Sequence, residues 1–154
     1  MKESKFITEV VNSLKSQGLW AYKVPDMPAS WMGGTGLRFV PEKPCDIIAM
    51  RGKIGLLIEC KQIKKFEAFG MRHMRESQIK NLNEVTDKGG LGFVFLNIRI
   101  ASPRENRLII FEWQEFRYRT ESIKGKEIKE FPFIQGFKDE FDLFSFVGNL
   151  CTTI

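Results

Sequence analysis

The chain has 154 residues, enough for one domain with a single sizeable core. Apolar content of 43% and charged content of 28% are ordinary for a globular protein, and no apolar run approaches membrane-spanning length. A net charge of +5 is compatible with nucleic acid without demanding it. Cys45, Cys60 and Cys151 are odd in number and lack paired metal spacing, which argues against a disulfide scaffold or a zinc module and for a reduced, cytoplasmic protein. The polar stretch Met1 to Glu9 does not read as a signal peptide.

Residues 2–17 predict an amphipathic helix, with Phe6, Ile7, Val10, Val11 and Leu14 on one face and Gly18 ending it. Leu19 to Val24 alternates like a strand. The stretch 25–44 holds four prolines and three glycines and is too long for an ordinary connection. It leads straight into Asp46, so it is expected to overhang whatever site forms there. Within it, Trp31 has two readings. It stacks on a base with Arg38 taking a phosphate, or it pins an Ω-loop to the core.

Pro44 to Met50 and Ile54 to Lys61 are short runs rich in β-branched and aliphatic residues, and they predict a hairpin with Gly52 and Lys53 as its loop. Glycine in the first loop position suits a type II′ turn, which requires positive φ there. A two-residue loop fixes the register, so Ile48 faces Leu57 and Asp46 faces Glu59 on one side of the sheet, with Lys61 projecting from that side as well. Opposed carboxylates destabilise a sheet and resist ionising together. Two accounts resolve the conflict. A divalent cation, Mg²⁺ or Mn²⁺, lies between them, or this end of the hairpin lies in water and Lys61 pairs with Glu59 at the surface.

Lys61, Lys64 and Lys65 then place cations beside the carboxylates, either as a solvated run or as phosphate contacts. A helix is predicted from His73 to Lys88, ended by Gly89-Gly90. Its apolar arc of Met71, Met74, Ile79, Leu82 and Val85 contains Gln78, an amide that must find partners inside. Arg75 sits at the edge of that arc with Arg72 nearby, and His73 is expected on the solvated side. Leu91 to Ile98 reads as a strand buried on both faces, and Arg107 to Trp113 as another. Phe116 to Arg119 is expected to start a helix, and 138–150 to form a C-terminal one. Phe131, Phe133, Phe137, Phe141, Phe144 and Phe146 together offer more apolar surface than a small core obviously needs.

Asp46, twelve intervening residues, and then Glu59-Cys60-Lys61 on an apolar strand resemble the PD-(D/E)xK nuclease signature. Proline stands at 44, two before the Asp rather than adjacent to it. The resemblance implies that Asp46, Glu59 and the Cys60 carbonyl ligate the metal while Lys61 serves the attacking water. It also implies that an acid of the first helix, Glu9 or else Glu3, approaches the metal, and that Gln78 is aimed at the site from the side. The order of elements fits an α/β restriction-endonuclease-like core, a mixed β-sheet flanked by helices. Residues 1–154 would form a single nuclease domain, with 25–44 over the site and 114–154 as a C-terminal helical extension. Within the family the chain most resembles Holliday-junction resolvases of the RecU and archaeal type, including phage-encoded ones. The implied activity is Mg²⁺-dependent (or Mn²⁺-dependent) hydrolysis of phosphodiesters in branched or duplex DNA by a homodimer, in a bacterial cell or phage-infected host. Other readings are a flap, nick or restriction-type nuclease of the same fold, and a non-catalytic DNA-binding protein.

Overall fold

The computed structural model describes residues 3–26 and 42–150. Trp31, Arg38 and most of the stretch 25–44 lie outside the described residues. Helix α1 (Glu3–Ser16) leads into strand β1 (Trp20–Lys23), and the hairpin β2 (Ile47–Arg51) and β3 (Ile54–Ile63) follows. Helix α2 (Glu76–Asp87) crosses to β4 (Leu91–Ile100), which is followed by β5 (Glu105–Glu112) and the single turn α3 (Trp113–Phe116). The chain finishes with α4 (Gly125–Glu130), β6 (Ile134–Phe137), β7 (Glu140–Phe141) and α5 (Phe144–Leu150).

All seven strands lie in one sheet in sequential order. Every neighbouring pair is antiparallel except β3 with β4, which run parallel. The sheet is therefore mixed, and the parallel step is where α2 is needed as a crossover. This is the expected α/β core, a mixed sheet flanked by helices.

Side-chain alternation sends the apolar residues of the central strands to two cores. Leu56, Ile58 and Cys60 of β3 and Phe93 and Phe95 of β4 meet α1, whose buried face is Phe6, Ile7, Val10, Val11 and Leu14. Val94, Leu96 and Ile98 of β4 point the other way, toward Leu82 of α2 and toward Trp113 and Phe116 of α3. β4 is thus buried on both sides, as its continuous apolar run requires. Phe6 is fully buried and lies edge-on to Phe141 with ring centroids 5.8 Å apart. Truncating such a residue to alanine costs about 3–5 kcal/mol.

The hairpin forms with the predicted register, pairing Arg51 with Ile54, Ile48 with Leu57 and Ile47 with Ile58. Gly52 has φ +57°, while Lys53 is not among the residues with positive φ, as a type II′ turn demands. Regular pairing stops at Ile47, one residue short of Asp46. The Asp46 N–H donates to the Ile58 carbonyl at 3.2 Å, and Val24 N–H donates to the Asp46 carbonyl at 2.9 Å. The strict Asp46–Glu59 pair gives way to a shifted backbone contact.

Three further expectations are corrected. The segment after 114 is not purely helical, because β6 and β7 extend the sheet. The C-terminal helix begins at Phe144 rather than 138, since Lys138 and Asp139 form a turn and Glu140–Phe141 pair as β7, and the Asp142 carboxylate then accepts the Phe144 N–H at 3.0 Å. Helix α2 begins at Glu76, and His73 belongs to a preceding 3₁₀ turn (Met71–His73). The His73 ring is partly buried and stacks on Phe69 at 4.8 Å, not on a solvated helical face.

Candidate active site

Strand β3 carries the site because its alternation separates two kinds of residue. Cys60 enters the α1-side core, whereas Glu59 and Lys61 project toward α2. Asp46 reaches the same place from the start of β2. Its Oδ2 accepts the Cys60 N–H at 2.8 Å, which ties the carboxylate to the β3 backbone just beyond the last regular pair. Both acids are buried, Asp46 at 3% and Glu59 at 2% exposure. A surface ion pair in water, one of the two sequence accounts, does not describe this burial.

Burial pushes the Glu59 carboxyl up to about 8, and the charge of Asp46 pushes it the same way, while Lys61 acts against both. Lys61 Nζ lies 3.5 Å from Glu59 Oε1. Gln78 completes the constellation from the N-terminus of α2. Its amide nitrogen donates to Glu59 Oε1. Its amide oxygen accepts from Lys61 Nζ at 3.1 Å and from the Arg75 backbone N–H at 2.8 Å. The inward amide expected from the helical arc is thus bonded at both its nitrogen and its oxygen, and one of its bonds also caps α2.

Lys43 was not singled out in the sequence, yet its ammonium lies 2.7 Å from Asp46 Oδ1 and 2.8 Å from Asp26 Oδ1. Burial works against its charge, but the hydrogen bonds to Asp26 and Asp46 outweigh this and hold its pKa above the ordinary value. Glu3, at the first turn of α1, senses the same site. Burial raises its pKa, the Asp46 charge adds to that, and Lys61, Lys43 and Arg75 oppose it.

Glu9 does not join these residues. Alternation along β4 directs Arg99 to the α1 face, where its Nη2 meets Glu9 Oε2 at 2.6 Å and its Nη1 meets Oε1 at 3.4 Å. Lys5 adds a longer contact to Glu9 at 3.9 Å. The buried Glu9 carboxylate is therefore neutralised on the side of the sheet opposite Glu59, whereas the exposed Glu3 carboxyl feels the charges of Asp46 and Lys61. The remaining basic candidates form no single cluster. Arg75 flanks Gln78, Arg72 bonds the Ala68 carbonyl at 3.3 Å, and Lys65 lies 3.9 Å from Glu67. Lys64 is exposed just beyond β3.

Could a metal ion be held here? Burial pushes the Cys45 thiol up to about 12, with Glu59 and Asp46 adding to it, and burial holds the Cys60 thiol above its ordinary value as well. The Cys45 thiol donates to the Ile47 carbonyl at 3.2 Å and Cys60 enters the α1-side core, so the side-chain donors that face the site are oxygens. Among the described residues no group of three or more His, Cys, Asp and Glu side chains could hold an ion. Two buried carboxylates with a backbone carbonyl and water nonetheless suit Mg²⁺ or Mn²⁺, which commonly bind through one or two carboxylates plus phosphate. A cation between Asp46 and Glu59 would also relieve the repulsion that raises the Glu59 pKa.

Comparison with known proteins gives a fold. No family model matches the chain, and no curated protein matches it in sequence. Among solved structures, the chain is similar to Hjc from Archaeoglobus fulgidus, a Holliday junction resolvase from an archaeal hyperthermophile. The superposition has a TM-score of 0.54 at 18% identity and covers 94% of this chain and 99% of that one. The fold is restriction-endonuclease-like. At this identity the likeness speaks for the architecture, and the chemistry has to be argued from the side chains. No helix among the described residues is long and apolar enough to cross a membrane.

Proposed function

We propose that this chain is a metal-dependent DNA endonuclease of the PD-(D/E)xK type, acting as a Holliday-junction resolvase. The observation that carries the reading is the convergence of Asp46, Glu59, Lys61 and Gln78 at one buried spot. A binding protein gains nothing from two opposed buried carboxylates that would face an anionic backbone. The shared fold with Hjc supports the substrate class.

In this reading Asp46, Glu59 and the Cys60 carbonyl hold Mg²⁺ or Mn²⁺. The bound ion would lower the pKa of a water and polarise the scissile phosphate. Asp46 is oriented for that task by the Cys60 N–H and by Lys43. Gln78 fixes both the Glu59 carboxylate and the Lys61 ammonium. Lys61, so held, orients the attacking water or stabilises charge that develops on the phosphoryl oxygens. Arg72, Arg75, Lys64 and Lys65, with Trp31 and Arg38, are assigned to the DNA.

Two symmetric cuts across a four-way junction need two sites, so the working form is taken to be a two-fold homodimer. Of the six phenylalanines singled out in the sequence, Phe137 and Phe144 are 65% and 72% exposed and are available for a subunit contact. Phe141 is buried, while Phe131 and Phe146 are partly buried against the cores. Phe133 lies under the Arg107 guanidinium, 4.1 Å from its ring centre.

The deciding experiment offers four-way, flap, nicked and linear DNA to the protein with Mg²⁺. Preferential, paired cutting of the four-way junction is expected. Cutting confined to flaps or linear duplex would reassign the substrate while keeping the site. Absence of cutting with Mg²⁺ or Mn²⁺ would overturn the nuclease reading.

A further inference from the structure

The strand that carries Glu59 and Lys61 toward α2 turns its next residue, Gln62, to the opposite face. There the ends of β3 and β4, the start of β5 and the β6–β7 turn enclose an open groove of about 840 Å³. Five cations line it: Lys5, Lys64, Arg99, Arg104 and Lys138. Among the described residues two carboxylates, Glu105 and Asp139, line the groove with them, and both are engaged, Glu105 with Arg107 at 3.0 Å and Asp139 with Lys5 at 3.0 Å, while the buried Glu9 meets Arg99 and Lys5 from beneath. Lys64, Arg104 and Lys138 are exposed and have no carboxylate within ion-pair distance among the described residues.

The floor of the groove is a built polar layer. Gln62 donates to Asn97 at 3.2 Å, and Asn97 donates to Asn106 at 2.8 Å and to the Arg107 carbonyl at 2.9 Å. Arg99 donates its Nε to Asn106 at 3.2 Å and is held from below by the buried Glu9. Gly136 has to lack a side chain here, because a Cβ would fall 2.2 Å from the Asn106 amide nitrogen. Lys138 adopts a left-handed φ of +46°, which a lysine seldom does, and it sits at the turn that forms the groove's rim. The segment after β3, the β4–β5 turn and the β6–β7 turn thus present Lys64, Arg104 and Lys138 to one channel. Its excess of charge is positive, and its wall mixes polar groups with the apolar surface of Ile100 and Ala101.

We infer that this groove is a second docking surface for duplex DNA, which holds sugar–phosphate backbone through Lys64, Arg104 and Lys138 on the face opposite the carboxylates. The inference rests on the nuclease reading and extends it. The groove contributes affinity and orientation, and the chemistry remains with Asp46 and Glu59. Contacts of this kind position a duplex without reading its sequence.

The test uses the full chain carrying Asp46→Asn, which blocks cutting, and measures DNA affinity by fluorescence anisotropy at several salt concentrations. A triple variant, Lys64→Gln, Arg104→Gln and Lys138→Gln, is compared with a control of equal charge change at Lys53, Lys88 and Lys126. Each phosphate contact adds about 0.9 to the slope of log K against log salt for duplex DNA. The groove variant is expected to lose about two to three in that slope and at least tenfold in affinity. The control is expected to lose far less. Equal losses in the two variants would overturn the groove while leaving the nuclease reading in place. Absence of DNA binding by the Asp46→Asn chain, together with absence of cutting by the unmodified one, would overturn both.

Discussion

Gln78 donates its side-chain amide to the Glu59 carboxylate across the gap between α2 and β3. The same side chain takes Lys61 on its oxygen, so one residue fixes the carboxyl and the ammonium relative to each other. It also caps the helix that presents it, through the Arg75 N–H. Position, polarity and helix start are coupled in a single amide.

Gln78→Ala should therefore lose cleavage by about 10–100-fold, the range typical of residues that orient metal ligands. The lost cap should cost only about 1 kcal/mol of stability. Thermal melts and cleavage assays on one preparation separate these effects. A large loss of melting temperature with normal activity per folded molecule would make Gln78 structural only.

Asp46→Ala and Glu59→Ala should each abolish cleavage while the chain stays folded and binds DNA. Removing either acid relieves repulsion within the pair, which offsets part of the lost hydrogen bonding. Cleavage within about tenfold of the unmodified protein for either variant would remove the metal-ligand assignment.

The raised Glu59 pKa makes a prediction about pH. In the folded, metal-free chain Glu59 keeps its proton above its ordinary value of 4.5, whereas the unfolded chain gives it up. Over that range the folded state binds more protons, so the Glu59 contribution to stability falls as pH rises from about 4.5 to about 8. Melting in a chelator from pH 5 to pH 9 should show a steeper decline for the unmodified chain than for Glu59→Gln. The same linkage means that Mg²⁺ binding should release protons near neutral pH, measurable by calorimetry in buffers of different ionisation enthalpy. Identical pH slopes for the two proteins would contradict the assignment.

Glu9 and Arg99 form a buried ion pair, so removing one partner strands the other. Glu9→Ala is expected to cost about 3–5 kcal/mol in denaturant unfolding. Glu9→Leu combined with Arg99→Leu should cost less than the sum of the single changes. Additive losses would show that the two charges are not energetically coupled.

Phe137→Ser and Phe144→Ser should shift the protein toward monomer in light scattering, with little change in melting temperature, because both side chains are exposed. An unmodified protein that is monomeric at micromolar concentration would remove the dimer from the proposal.

Much of this arrangement was legible because it depends on short-range rules. Gly52 set the hairpin register, and that register brought Asp46, Glu59 and Lys61 together even though the ladder ends at Ile47. Helical spacing alone turned Gln78 inward. Lys43 was hidden because its contact with Asp46 depends on how a long irregular segment returns to the sheet, which no periodicity encodes. Glu9 looked eligible as an acid on the first helix, but Arg99, ninety residues away, claims it. The phenylalanine-rich end suited helix and strand alike, and the turn at Lys138 with the pairing of β6 and β7 divided it between them.

The single parallel junction, β3 with β4, has a kinetic consequence. Asp46, Glu59 and Lys61 belong to one hairpin, whose ends meet at small cost in loop-closure entropy. Gln78 rides on the crossover helix and reaches Glu59 only when β4 docks beside β3. The contact is non-local, of the kind that slows folding. Ordered assembly of the site is therefore the expectation, with the two carboxylates set against each other first and the amide that restrains one of them arriving with the closing of the sheet.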